Sequence, residues 1–149
     1  MKLKVFILLL ISFVLFSNQT IIAQETMENK EESTVIEDSE KLVVVWTSGD
    51  IDVAIKMVYM YTYNAKKYGW WKDVTFVIWG PSSKLLSENV ELQDYLKKMK
   101  EEGIVLEACK ACADMYGVSD NLTELGVEVQ YMGTKLTDYI KSEKHVITF

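Results

Sequence analysis

The sequence predicts an α/β domain: a mainly parallel, five-stranded sheet with helices on both faces. Three observations predict it. Strand-like and helix-like segments alternate from residue 41 onward as β-α-β-α-β-α-β-α-β, the pattern of parallel strands joined by helical crossovers. The strand candidates are continuous apolar runs, such as "KLVVVWT", as expected where both faces of a strand are covered. Small and polar residues gather behind the strands, in "TSGD", "WGPSS", "EACK" and "YMGTK". Open α/β sheets place their binding groups at those carboxyl ends.

The elements follow in order. "KLVVVWT" is the first strand, and Ser48 or Asp50 in the following "SGD" is a helix N-cap candidate. "IDVAIKMVYMYTYNAKKYG" is a helix that closes on Lys66, Lys67 and Gly69. Met57, Met60, Tyr61 and Tyr63 are expected in the core or in subunit packing. Trp70 and Trp71, in "GWW", are expected as an exposed patch. "DVTFVIWG" is the second strand. "PSSKLLSENVELQDYLKKMKEEG" reads as one or two helices, with Pro81 near the start and Gly103 as the stop. "IVLEA" is the third strand, "CKACADMYG" a short helix, "NLTELG" a helical turn and "VEVQYM" the fourth strand. "TKLTDYIKSE" is the last helix and "HVITF" the last strand.

The residues before this domain read differently. Residues 1–23 carry Lys2 and Lys4, an apolar run at 5–16, a polar break and Ala23 before Gln24. That is the layout of a cleaved secretory signal. The apolar run is shorter than the roughly 20 residues a membrane span needs. The chain is therefore expected to be exported, periplasmic or secreted, with no membrane attachment after cleavage. Residues 24–40 hold seven acids (Glu25, Glu28, Glu31, Glu32, Glu37, Asp38, Glu40) and one base, Lys30. High charge and few apolar residues predict a disordered acidic linker. With the chain at −6 overall, the linker at −6 and the signal at +2, residues 41–149 carry only −2. A slightly negative domain without a basic patch gives no support for nucleic-acid binding.

The chemistry rests on "VLEACKACADMYG", which holds both cysteines, Cys109 and Cys112. A zinc site needs three or four N or S ligands, and the chain has two cysteines and one histidine, His145. Cys–His catalysis would need His145 beside the thiol. His145 precedes the last strand, which places it at the opposite end of the sheet. There is no G-x-S-x-G elbow and no G-x-G-x-x-G fingerprint, so the residues call for no cofactor. Cys-x-x-Cys is a thioredoxin motif, yet here it follows the third strand and no proline comes after it. A disulfide between the two remains compatible with their spacing.

Cys109 stands where a strand ends and a helix begins, a place that favours an anion and lowers a thiol's pKa. Cys112 lies one helical turn on, nearly on the same face. It reads either as a resolving thiol or disulfide partner, or as a small buried residue. The pocket at the strand ends is expected to draw on Ser48, Gly49, Asp50, Gly80, Ser82, Gly133 and Thr134.

Taken together, "TSGDIDVA", "VTFVIWGPSSKLL", "GIVLEACKACADMYGV" and "GVEVQYMGTKLTDYI" resemble, in order and spacing, the DsrE/DsrF-like family of sulfur-relay proteins. The resemblance covers residues 41–149. In sulfur-transferring members a cysteine after the third strand carries a persulfide, a few positions before a Gly-Val pair. Cys109, eight residues before Gly117-Val118, matches it; Cys112 falls where a small residue is usual. The resemblance implies a three-layer α/β/α fold and assembly into trimers or hexamers. It also implies transfer of sulfane sulfur between donor and acceptor proteins, with the persulfide on Cys109. Two alternatives stand beside it: a small-ligand-binding or oligomeric module with structural cysteines, and a thiol–disulfide exchanger using Cys109 and Cys112.

Overall fold

The computed structural model describes residues 40–142 and 144–149. The signal expected at residues 1–23 lies outside the described residues, as does the acidic linker except Glu40. The elements are β1 (Lys41–Trp46), α1, β2 (Asp73–Ile78), α2 (Pro81–Glu88), α3 (Val90–Glu101), β3 (Val105–Cys109), α4 (Lys110–Tyr116), α5 (Ser119–Glu124), β4 (Glu128–Gln130), α6 (Met132–Lys141) and β5 (His145–Thr148). Helix α1 is continuous but not uniform: Ile51–Val53 and Met60–Lys67 are α-helical and flank a π-helical stretch, Ala54–Tyr59.

Local chemistry sets most of these limits. Asp50 caps α1, its Oδ1 accepting from the N–H groups of Asp52 and Val53 at 2.8 and 3.0 Å. Pro81 occupies the first turn of α2, where its missing N–H costs nothing. Asn89 divides the long helical segment in two, its Oδ1 accepting from Leu92 N–H at 3.0 Å to start α3. Gly117 ends α4 with φ +69°, a left-handed conformation that glycine adopts without strain. The last helix begins at Met132, earlier than the sequence suggests, so Gly133 and Thr134 belong to its first turn.

All four strand pairings are parallel, in the order β4-β3-β2-β1-β5. From β1 to β4 each crossover moves one strand in the same direction. Right-handed crossovers then put α1 to α5 on one face. The connection from β4 returns across the sheet to β5, so α6 lies on the other face.

The cores record this division. On the five-helix face, Leu42, Val44, Trp46, Val74, Phe76, Ile78 and Leu106 pack against Val58, Tyr59, Leu86, Leu96 and Leu122. An aromatic cluster anchors it: Trp46 stacks on Phe76 at 5.9 Å, and Tyr59 meets both edge-on at 5.2 and 5.3 Å. On the α6 face, Val43, Val45, Val77 and Cys109 pack against Met132 and Tyr139. The fold is therefore an α/β sheet, wholly parallel, with helices on both sides.

Of the four residues expected in the core or in subunit packing, Met57 and Met60 are about half exposed, at 46% and 48%, outside this chain's core and on a surface open to subunit packing. Tyr61 and Tyr63 pack against the core. Of the two tryptophans, Trp70 is exposed, whereas Trp71 is partly buried against His145 at 4.8 Å and donates to Tyr61 Oη at 3.3 Å.

Candidate functional site

Cys109 is the last residue of β3 and the N-cap of α4, with extended backbone at φ −72°, ψ 107°. The chain leaves β3 toward the five-helix face, where Ala113 of α4 is buried, and leaves β4 toward the opposite face, where Met132 of α6 is buried. Adjacent strands whose connections diverge in this way open a crevice at their carboxyl ends. Cys109 stands at that switch point. Its register partner on β4 is Gln130, the last residue of that strand.

The thiol of Cys109 is not on the surface. The residue is only 4% exposed, in a cluster with Val43, Val45, Val77, Met132 and Tyr139, flanked by Trp79, Cys112 and Leu136. Cys112 is more open. Both cysteines are free thiols. Burial pushes the Cys112 thiol above its ordinary value, and its hydrogen bond to Cys109 acts in the same direction; a backbone hydrogen bond from Gly80 opposes them. Cys112 thus keeps its proton at neutral pH and can donate it to the sulfur of Cys109.

The other expected pocket residues divide by role. Gly80 reaches the cysteine pair through its backbone, in a conformation (φ +72°, ψ −134°) that only glycine adopts without strain. Ser82 is fully buried; its Oγ donates to Trp46 O at 2.6 Å and accepts from Trp79 N–H at 3.1 Å. It ties the ends of β1 and β2 together. Ser48 Oγ accepts from Asp50 N–H at 3.1 Å, and Asp50 is committed to its cap. Gly49 lies against Pro81 and opens onto a cleft of about 290 Å³ lined with Pro81, Lys84, Leu85, Glu88 and Tyr116. Neither cysteine lines it. Gly133 and Thr134 are exposed on α6, and the Gly133 carbonyl accepts from Thr137 Oγ1 at 2.8 Å. His145 is at the amino end of β5, away from Cys109.

The sequence reading did not single out a second polar group, directly behind Cys109. Glu107 lies two residues earlier on β3 and is 2% exposed. Its carboxylate accepts from Tyr139 Oη at 3.1 and 3.0 Å and is paired with Lys135 Nζ at 2.5 Å. Lys135 also lies 4.0 Å from Glu128. Burial pushes the Tyr139 phenol well above its ordinary value, and the charge of Glu107 adds to this. A glutamate inside an otherwise apolar strand was the available signal, because a buried charge needs a partner. Lys135 and Tyr139, four apart on α6, supply it from one helix face.

The sequence profile of the DsrE/DsrF-like family matches residues 40–149. The chain belongs to the DsrE/DsrF-like family. A DsrE/DsrF-like assignment points to a sulfur-relay-type domain. The structure of a conserved protein of unknown function, BT1422 from Bacteroides thetaiotaomicron, superposes with a TM-score of 0.72 at 36% identity, covering 74% of this chain and 95% of that one. The ychN protein from E. coli superposes with a TM-score of 0.57 at 17% identity, covering 73% of this chain and 98% of its own, and so supports the fold alone. No curated protein sequence matches the chain. No helix among the described residues is long and apolar enough to cross a membrane.

Proposed function

We propose that this DsrE-like domain carries sulfane sulfur as a persulfide on Cys109. The observation that carries the reading is the position of Cys109 at the switch point between β3 and β4, with Cys112 as a neighbour hydrogen-bonded to it. In the loading step the Cys109 thiolate attacks the outer sulfur of a donor persulfide. One S–S bond forms on Cys109, the donor's S–S bond breaks, and the donor leaves as a thiolate. No net oxidation occurs. Unloading is the same exchange with an acceptor thiolate. Burial of Cys109 shields the persulfide from bulk thiols and favours delivery within a protein–protein complex.

Partner proteins that donate and accept sulfur are therefore part of the proposal, as is a homo-oligomer, a trimer or hexamer. The exposed apolar stripe of Val53, Met57 and Met60 on α1 supports the latter. We also propose that the chain is exported and that residues 1–23 are removed, on the sequence layout given above. The contact between the two thiols favours a second reading, thiol–disulfide exchange.

Incubation of the reduced protein with inorganic polysulfide, followed by intact mass measurement, tests the proposal. A carrier gains sulfur in increments of ~32 Da, the gain survives Cys112→Ala, and it disappears in Cys109→Ala. A loss of two hydrogen atoms (~2 Da) in wild type, their electrons passed to polysulfide, with no sulfur gained by Cys112→Ala, is the exchanger's result and contradicts the carrier reading.

A further inference from the structure

The site holds a further polar group, Gln130. Gln130 ends β4 and is the Cα partner of Cys109 across the β3–β4 ladder. Side chains alternate along a strand. Val129 packs into the five-helix core, whereas Glu128 reaches Lys135 of α6. Gln130 therefore shares the α6 face with Cys109. Its amide nitrogen, Nε2, is buried and has no hydrogen-bond partner. A buried amide donor left unpaired is destabilising and calls for an explanation.

The charges around it sharpen the question. Glu107 and Glu128 lie on the same face of the sheet, and Lys135 is held by both. Lys135 is thus already committed, as are Lys110 to Asp114 and Lys144 to the Tyr139 ring, and two carboxylates work against an anion on Cys109. A neutral donor stabilises an anion there without adding a charge that the apolar surroundings would penalise. Nε2 makes no bond to the resting Cys109 thiol. A persulfide extends the side chain by one S–S bond, about 2 Å, and its negative charge sits on the outer sulfur.

We propose that Gln130 is the hydrogen-bond donor that holds the outer sulfur of the Cys109 persulfide, idle in the free protein and engaged when sulfur is loaded. This rests on the carrier reading of Cys109. Gln130 forms and breaks no covalent bond; it lowers the energy of the loaded state relative to the free thiol.

The experiment loads wild type, Gln130→Leu and Gln130→Glu with inorganic polysulfide and removes the excess. The sulfur-bearing mass is then followed under a fixed concentration of a small thiol. Loss of one such hydrogen bond predicts a persulfide that decays at least about fivefold faster in Gln130→Leu. In Gln130→Glu, where the donor becomes a like charge, decay is faster still. The thermal midpoint of Gln130→Leu stays at or above the wild-type value, because the amide had no partner to lose. Alkylation of the unloaded Cys109 by iodoacetamide stays within about twofold of wild type, because Gln130 makes no hydrogen bond to the resting thiol. Equal persulfide lifetimes in wild type and Gln130→Leu overturn the role of Gln130 and leave the carrier reading standing. A Gln130→Leu variant that melts well below wild type assigns the amide to structure and overturns it too. A wild-type protein that takes up no sulfur overturns both.

Discussion

Substituting Tyr139 by Phe removes one hydroxyl and tests the wall behind the site. Tyr139 donates to both oxygens of Glu107, at 3.1 and 3.0 Å, and Glu107 is 2% exposed. Without that donor the carboxylate keeps only Lys135, whose side chain is 31% exposed and partly screened by water. A hydrogen bond to a buried charge contributes about 1.5–3 kcal/mol. For a domain of this size about 1 kcal/mol corresponds to roughly 4 °C, so Tyr139→Phe should lower the melting midpoint by about 6–12 °C. The assay is urea unfolding of the reduced protein, followed by tryptophan fluorescence, in a double-mutant cycle with Glu107→Gln. The cycle isolates the pair, with an expected coupling of about 1–2 kcal/mol. A coupling below about 0.3 kcal/mol, within the usual additivity error, would refute the claim that this bond clamps α6 to β3.

The same phenol predicts a pH dependence. Its folded-state pKa lies above the ordinary value, so the protonated hydroxyl is the form the fold stabilises. That contribution is fully present below the unfolded value of about 10 and is lost as pH rises beyond it. Melting measured at pH 8 and pH 11 should show a fall that Tyr139→Phe reduces. A residual slope from Tyr59, which burial also pushes up, should remain. Ser82→Ala removes a buried hydroxyl bonded to Trp46 O and Trp79 N–H and should cost about 1–3 kcal/mol in urea unfolding. An unchanged urea midpoint would show that the ends of β1 and β2 are held without it.

Much of the fold was legible because burial writes itself into composition. "KLVVVW" and "DVTFVI" read as strands covered on both faces, and β1 and β2 are fully flanked by other strands. Cys109 was placed at its strand–helix junction by the same logic. What the sequence could not convey depends on strand order. That β4 connects back across three strands to β5 makes α6, among the described residues, the one helix on its face, and makes the ends of β3 and β4 the switch point. No local pattern encodes this, so Gln130 was not seen beside Cys109. Glu107 is a charge in an apolar run, a signal that passes unnoticed because its partners lie 28 and 32 residues away on α6. Nor does any local signal announce the π stretch, which carries neither proline nor glycine. Its place behind β2 predicts Ser82 in the pocket; its hydroxyl instead faces inward, onto the backbone of β1.

The most direct test of the central claim is to locate the sulfur. Trypsin cleaves after Lys110, which separates the cysteines onto different peptides, residues 101–110 with Cys109 and residues 111–135 with Cys112. After polysulfide treatment and alkylation under denaturing conditions, the account predicts one additional sulfur, ~32 Da, on the peptide of residues 101–110. Sulfur found only on residues 111–135, or on neither peptide, would contradict it.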